Sequence, residues 1–80
     1  MEREEVYARL NPVFQDIFDD DSISVDDNTT AKDIEEWDSL NHISLVVAVE
    51  KEFNFKFQMG EVIALHNVGD MVNIIAERGK

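Results

Sequence analysis

The sequence predicts an all-α fold, a four-helix bundle with a long first loop and a short third helix. Apolar residues recur at helical spacing in three long segments of the chain. Only one segment alternates like a strand, and an isolated strand has no partner with which to form a sheet. With 80 residues and no cysteine, the chain has one small core and no disulfide. We therefore expect one domain over residues 1–80.

The first helix is predicted from Glu2 to about Phe18. Pro12 interrupts it, because proline removes a backbone donor and clashes with the preceding turn. The segment is either one kinked helix or two helices, with Asn11 as cap and Pro12 at the first position of the second. The apolar stripe stays in phase across Pro12, which favours the kinked helix. Its members are Val6, Leu10, Val13, Phe14 and Ile17.

Residues 19–38 form a long acidic connection. About twenty residues of loop in a compact domain indicate function or disorder. Spaced apolar residues favour an ordered loop pinned to the core, with a helical turn around Thr30–Glu35 and Trp37 as a packing anchor or, alternatively, a docking residue. The run Asp19-Asp20-Asp21 does not fit a calcium-binding EF-hand, because Ile23 and Ser24 replace a ligand and the turn glycine. We therefore expect no metal. The pinning residues are Ile23, Val25, Ala31 and Ile34.

The second helix is predicted from Ser39 to about Glu52, with the carboxylate of Asp38 as its N-terminal cap. Val47 lies off the buried stripe and is a candidate for an exposed apolar contact, whereas Leu40 and Ile43 are candidates to join the stripe. The stripe itself is Leu45, Val46, Val49 and Phe53.

The remaining chain is predicted as a linker and two helices. Residues 53–57 form an extended linker that buries two of its three phenylalanines, and residues 60–65 form a short helix. After a loop over residues 66–69, Asp70 caps the last helix, which Gly79 ends after Arg78. The inward residues of this helix are Met71, Val72, Ile74 and Ile75.

The charge of the chain restricts its partners. Eighteen acidic against seven basic residues give a formal net charge of −11. This charge repels nucleic acid and anionic membranes and favours basic patches on other proteins. The N-terminus lacks the apolar stretch of a signal peptide, and no apolar run approaches a membrane span. We expect a cytoplasmic monomer.

The segment WDSLNHISLVVAVEKEF, with Asp38-Ser39-Leu40 at its start, resembles the attachment segment of acyl and peptidyl carrier proteins. Val68-Gly69-Asp70 also fits that family. The resemblance implies that a phosphopantetheinyl transferase attaches 4′-phosphopantetheine from coenzyme A to Ser39, flanked by Asp38 and Leu40. The chain would then be a carrier with no catalytic residue, holding acyl groups as thioesters for acyl-loading and acyl-transferring enzymes with basic docking patches.

A docking face for such partners is predicted on the second helix. Leu40 and Val47 are two turns apart and share one side of the helix, with Glu36 and Glu50 near its two ends. An exposed apolar pair rimmed by carboxylates suits a basic partner with a shallow apolar groove. The alternative is that Val47 is an isolated surface valine.

Departures from the family pattern bear on the pathway. Many members carry glycine shortly before the Asp-Ser-Leu, whereas this chain has Ile34-Glu35-Glu36-Trp37. Fatty-acid carriers usually have acidic residues early in the second helix, where Asn41, His42 and Ser44 are neutral. This favours a specialised, polyketide-like pathway over primary fatty-acid synthesis.

Three alternatives to an acyl carrier follow from the same residues. A peptidyl or aminoacyl carrier shares the serine and its arm, and an unmodified acidic helical adaptor shares every bulk property. A hydrolase built on Asp38, Ser39 and His42 is disfavoured, because the chain offers no glycine-rich oxyanion loop and no enclosing pocket.

Overall fold

Four α-helices and no strand make up the regular structure, so the predicted all-α architecture is confirmed. The computed structural model describes all 80 residues. Three helices of eleven to fifteen residues form the body of the bundle, and the remaining helix has five. The helices are α1 (Arg3–Ile17), α2 (Ser39–Phe53), α3 (Met59–Ile63) and α4 (Val68–Arg78).

The core lies between α1, α2 and α4 and is entirely apolar. Each long helix buries one stripe, as the spacing predicts, whereas α3 buries no residue. Leu40 and Ile43 do not join the α2 stripe; they are 75% and 61% exposed. The helical core residues are Val6, Leu10 and Phe14 from α1, Leu45, Val46, Val49 and Phe53 from α2, and Val68, Met71, Val72 and Ile75 from α4.

Pro12 lies inside one continuous helix, so the alternative of two helices is wrong. The side chain of Asn11, which that alternative used as a cap, instead binds the loop. Its Oδ1 accepts a hydrogen bond from the Val25 N–H at 2.7 Å, and its Nδ2 donates to the Tyr7 carbonyl at 3.2 Å. The residue before the proline therefore fastens the loop to α1.

The loop over residues 18–38 is ordered by apolar anchors and hydrogen bonds. Phe18, Val25 and Trp37 are buried, and Ile23 and Ile34 pack partly against the core. Ala31, expected to pin the loop, is exposed. The expected helical turn is only a hydrogen-bonded turn, in which the Asp33 N–H donates to the Thr30 carbonyl at 2.9 Å. Trp37 is confirmed as a packing anchor, edge-on to Phe14 with the ring centroids 5.4 Å apart.

The loop also completes the start of α4. The Val68 N–H donates to the Thr29 carbonyl at 2.8 Å, and the Gly69 N–H donates to the Asp27 carbonyl at 3.1 Å. This approach requires glycine, because a Cβ at residue 69 would lie 2.8 Å from the Asp27 carbonyl oxygen. Two donors that a helix start leaves unpaired are thus satisfied by the loop.

The cap of α4 differs from the prediction. The helix begins at Val68, and its cap is Asn67, whose Oδ1 accepts from the Asp70 N–H at 2.8 Å. The Asp70 carboxylate reaches back to accept from the His66 N–H at 3.1 Å. Asp70 was predicted as the cap because aspartate and asparagine cap helices about equally well. The loop before α4 therefore spans residues 64–67 instead of the predicted 66–69.

A polar cluster joins α1, the loop and α4 on one side of the bundle. Arg3 donates to the Asn73 Oδ1 and the Asp27 Oδ1, each at 2.6 Å, and the Tyr7 hydroxyl donates to the same Asp27 oxygen. Burial, followed by the hydrogen bond to Asp27, raises the pKa of Tyr7 to about 12. The hydrogen bonds from Tyr7 and Arg3 lower the pKa of Asp27. We call Arg3, Tyr7, Asp27 and Asn73 the Asp27 cluster.

The linker and α3 lie against α2 and α4, and none of their residues belongs to the Asp27 cluster. Phe53 and Phe57 are buried and Phe55 is half-buried, which confirms that two of the three phenylalanines are buried. α3 occupies residues 59–63 rather than 60–65, because the Glu61 carboxylate accepts from the Gln58 N–H at 2.7 Å and fixes the first turn. An ion pair between Glu61 and Arg78 ties α3 to α4.

Candidate functional site

Asp38 caps α2 as the sequence predicts. Its backbone is extended, and its Oδ1 accepts from the Asn41 N–H at 2.8 Å, while its carbonyl accepts from the His42 N–H at 2.8 Å. Such a cap contributes about 1 kcal/mol to the free energy of unfolding. The Asn41 side chain adds a second tie by donating to the Glu36 carbonyl at 2.7 Å. The turn that holds Ser39 is therefore fixed on both sides.

Ser39 is the first residue of α2 and is exposed. The backbone N–H groups of Ser39 and Leu40 precede the first intrahelical hydrogen bond, so they have no partner within the helix. This end of the helix carries the positive part of the helix dipole, which favours a negative group bound there. A phosphodiester on the Ser39 hydroxyl would lie beside these donors, so the residues present fit a phosphate-linked group.

His42 lies one turn after Ser39, and both of its ring nitrogens are engaged elsewhere. The Trp37 Nε1–H donates to His42 Nδ1 at 3.0 Å, and His42 Nε2 lies 3.4 Å from the Val62 carbonyl oxygen of α3. The indole and imidazole rings are stacked, with their centroids 5.9 Å apart. His42 is thus unavailable as a base for Ser39, which argues against the hydrolase alternative.

An open cleft of about 470 Å³ adjoins Ser39. Its floor is formed by Trp37 and His42, and its far wall comes from α3 and the loop that follows. The cleft has the size of a small-molecule site but is wide open to solvent. It is lined by Ala31, Trp37, Asp38, Ser39, His42, Val62, Ile63, Leu65 and His66.

A row of exposed apolar side chains runs along α2 from Ser39 and continues on α3. Leu40 is 75% exposed and Val47 43%, and Ile43 lies between them on the same face. Met59 and Ile63 of α3 are about 80% exposed. An apolar groove of about 320 Å³ separates the two helices. Glu36 is exposed, whereas the half-buried Glu50 accepts from the Phe57 N–H at 2.8 Å.

Comparison with protein families finds a match over residues 8–75 to the family described as phosphopantetheine attachment site. This match covers most of the chain. The chain belongs to this carrier-protein family. The solution NMR structure of holo acyl carrier protein from Geobacter metallireducens is similar, with a TM-score of 0.84 and 42% sequence identity over 90% of this chain and 83% of that one. No curated protein sequence matches the chain.

The predicted family, carrier function and covalent phosphopantetheine cofactor are thereby confirmed. An acyl carrier holds cargo for other enzymes, so partner enzymes are part of its function. The carrier has no helix that combines the length and the apolar character needed to cross a membrane. No group of three or more acidic or histidine side chains is arranged to hold a metal ion.

Two features of the site were not predicted from the sequence. The first is the engagement of His42 with Trp37 and Val62, which the spacing of these residues in the sequence does not indicate. The second is the contribution of Met59 and Ile63 to the exposed apolar row. A five-residue helix has too few residues for its periodicity to indicate which side faces outward.

Proposed function

We propose that Ser39 is the phosphopantetheine attachment residue of this carrier. The observation that supports this most strongly is an exposed hydroxyl at the first position of α2, held by the Asp38 cap and adjoined by unpaired N–H groups. The other serines lack this placement, since Ser22 and Ser24 lie in the loop and Ser44 in the interior of α2.

The attachment reaction uses coenzyme A as donor. The Ser39 oxygen forms a bond to the phosphorus nearer the pantetheine, the diphosphate P–O bond breaks, and 3′,5′-ADP leaves. The transferase supplies the base that takes the hydroxyl proton, because His42 is bonded to Trp37 and Val62. The bound group supplies a thiol for acyl thioesters, which the cysteine-free chain lacks. A tethered acyl group reaches partner active sites at high effective concentration.

The proposal is tested by intact mass after incubation with coenzyme A and a broad-specificity phosphopantetheinyl transferase. The native chain should gain one phosphopantetheine, and Ser39→Ala should gain none. Ser44→Ala is the matched control, since it removes an exposed serine from the same helix and should be modified fully. Modification of Ser39→Ala would overturn the assignment.

For the cargo, we propose an acyl group of a specialised, polyketide-like pathway. This is supported by the neutral first turns of α2, where Asn41 and His42 bind the chain itself instead of presenting charge. A peptidyl or aminoacyl carrier is the competing outcome. Loading assays that offer acyl-coenzyme A, malonyl-coenzyme A and aminoacyl adenylates in turn distinguish the two. A cytoplasmic location remains a prediction.

We also propose a docking face for partner enzymes, formed by Leu40, Ile43 and Val47 and rimmed by Glu36 and Glu50. Leu40 and Val47 were predicted for this role, and their exposure supports it. The carrier is strongly acidic, so the partner surface would be basic around a shallow apolar groove. Of the two glutamates, Glu36 is the freer, because Glu50 also holds the linker.

Val47→Glu tests this face. The variant should fold normally and slow transfer by the transferase and by an acyl-loading enzyme roughly tenfold, the size of effect typical of a central contact residue. Ala8→Glu, at an exposed site on α1, adds the same charge away from the face and should leave the rates unchanged. Loss of folding would place Val47 in the core, and native rates would place the docking face elsewhere.

A further inference from the structure

His42 links three elements next to Ser39. An indole N–H can only donate, so in the bond from Trp37 the His42 Nδ1 must be the acceptor. The proton of the neutral ring is therefore on Nε2, which points at the Val62 carbonyl oxygen of α3. The contacts thus fix the tautomer of His42. One imidazole ring connects the end of the loop, the first turn of α2 and α3.

This connection matters because α3 has few others. Its five residues include none that is buried, and Val62 packs only partly against the core. Besides His42, the side-chain tie of α3 to the other helices is the Glu61–Arg78 ion pair, which is partly exposed and therefore weak. Trp37, by contrast, is fixed against Phe14 and Phe18. His42 therefore couples a loosely held element to a firmly packed one.

Proton binding and this arrangement exclude each other. An imidazolium carries a hydrogen on both nitrogens and accepts none, so the Trp37 N–H would face another N–H. Histidine is the side chain that changes charge between pH 5 and 8. The other titratable groups that border the cleft are Asp38 at the start of α2 and His66 after α3. In α3, Glu61 is occupied by Arg78 and the Gln58 N–H.

We propose that His42 is a proton-sensitive latch. When neutral, it holds Trp37 and α3 together beside Ser39. When protonated, its Nδ1–H meets the Trp37 N–H, so the ring turns away from Trp37; because the same ring orientation aims Nε2 at Val62, this turn also loosens α3 and widens the cleft. Any effect of the cleft on the bound arm and its cargo rests on the proposed attachment at Ser39, since the cleft adjoins that residue. His42 is then a positioning residue, which sets the surroundings of the serine without taking part in its chemistry.

The latch is tested by NMR on the unmodified ¹⁵N-labelled chain between pH 8 and 5. At pH 8 the His42 ring proton should be on Nε2. On acidification, the Trp37 Nε1–H resonance should move with the same midpoint as the His42 ring carbons. The hydrogen-exchange protection factors of the Val62 to Ala64 amides should fall roughly fivefold, the change expected for one lost hydrogen bond. Trp37 is the single tryptophan, so its signal is unambiguous.

Two variants identify the titrating group. His42→Asn keeps an oxygen that can accept from Trp37 but does not ionise. Its Trp37 Nε1–H resonance and the protection factors of the α3 amides should therefore not change with pH. If His42→Asn does not fold, His42→Gln serves the same purpose. His66→Asn removes the other histidine and should keep the wild-type step. Three results in the native chain would overturn the latch: a His42 ring proton on Nδ1, different midpoints for Trp37 and His42, or no pH-dependent step in the Trp37 signal. A step in His42→Asn, or the absence of the step in His66→Asn, would also overturn it.

The mass assay on the same samples keeps the two proposals separate. Absence of phosphopantetheine on Ser39 would refute the attachment proposal and leave the latch untouched. A flat pH response in a chain that takes up phosphopantetheine fully in the mass assay would refute only the latch.

Discussion

The two sides of the bundle are held together by different means. On one side, the Asp27 cluster and two backbone hydrogen bonds from α4 to loop carbonyls join α1, the loop and α4. On the other side, α2 and α3 face each other across an apolar groove, with one ion pair and one histidine as the polar ties of α3. The serine lies on the loosely held side. The strongest polar ties thus lie away from the proposed docking face.

The largest effect should come from the core between the two sides. Phe14→Ala removes a fully buried ring that also supports Phe18 and Trp37, and should lower the free energy of unfolding by about 3–5 kcal/mol. Met59→Ala, at a residue 81% exposed in α3, should change it by less than about 0.5 kcal/mol. Urea unfolding measures both. Similar losses in the two variants would contradict the contrast between the packed core and the loosely held α3.

The glycines give a second, smaller contrast. Gly69→Ala should destabilise by about 1–3 kcal/mol, because the new Cβ meets the Asp27 carbonyl oxygen and forces the loop and α4 apart. Gly60→Ala in α3 should stabilise by about 0.5–1 kcal/mol, since nothing lies within 4 Å and alanine favours helix. Thermal unfolding of the two variants decides. A Gly69→Ala variant as stable as the native chain would show that the loop can move away from residue 69 without lowering the free energy of unfolding.

The Asp27 cluster should make stability depend on pH at both extremes. The lowered pKa of Asp27 means that its contribution is present above about pH 4, the ordinary range of aspartate, and is lost as pH falls. The raised pKa of Tyr7 means that its contribution is lost as pH rises from about 10 towards 12. The stability difference between native chain and Tyr7→Phe should therefore be largest near neutral pH. Equal differences at pH 3, 7 and 11 would contradict this.

The smallest effect concerns the chain as a whole. Excess negative charge opposes compaction, so the melting temperature should rise by a few degrees from low to moderate ionic strength. The three ion pairs are exposed or half-exposed, so each contributes little to stability and screening by salt removes little. A melting temperature that stays flat or falls with salt would mean that these pairs outweigh the general repulsion.

The sequence was a good guide to what depends on neighbouring residues. Periodic apolar residues located α1, α2 and α4, and Asp38 was recognised as a cap because its carboxylate acts on N–H groups three residues away. The predicted start of α4 was wrong because Asn67 and Asp70 are both good caps and lie three residues apart. In the structure Asn67 accepts from the Asp70 N–H, whereas the Asp70 carboxylate accepts from the His66 N–H, so Asn67 is the cap.

Features that depend on distant residues could not be predicted. Ala31 was expected to be buried because it is apolar, yet the turn around it faces solvent. Ile43 is exposed because α3 is too short to cover that face of α2. The role of His42 depends on the packing of Trp37 against α1 and on the position of Val62, and nothing in the local spacing indicates either.

The hydrogen bonds from α4 to the carbonyls of Asp27 and Thr29 divide the long loop into parts with different tolerance to changes in length. The acidic turn over residues 19–22 lies outside these contacts, so added residues there would extend into solvent. An insertion between Asp27 and Thr29 would shift one carbonyl out of register with α4 and leave its first donors unpaired. Homologues of this chain should therefore vary in loop length before Val25, and a tag inserted there should be tolerated.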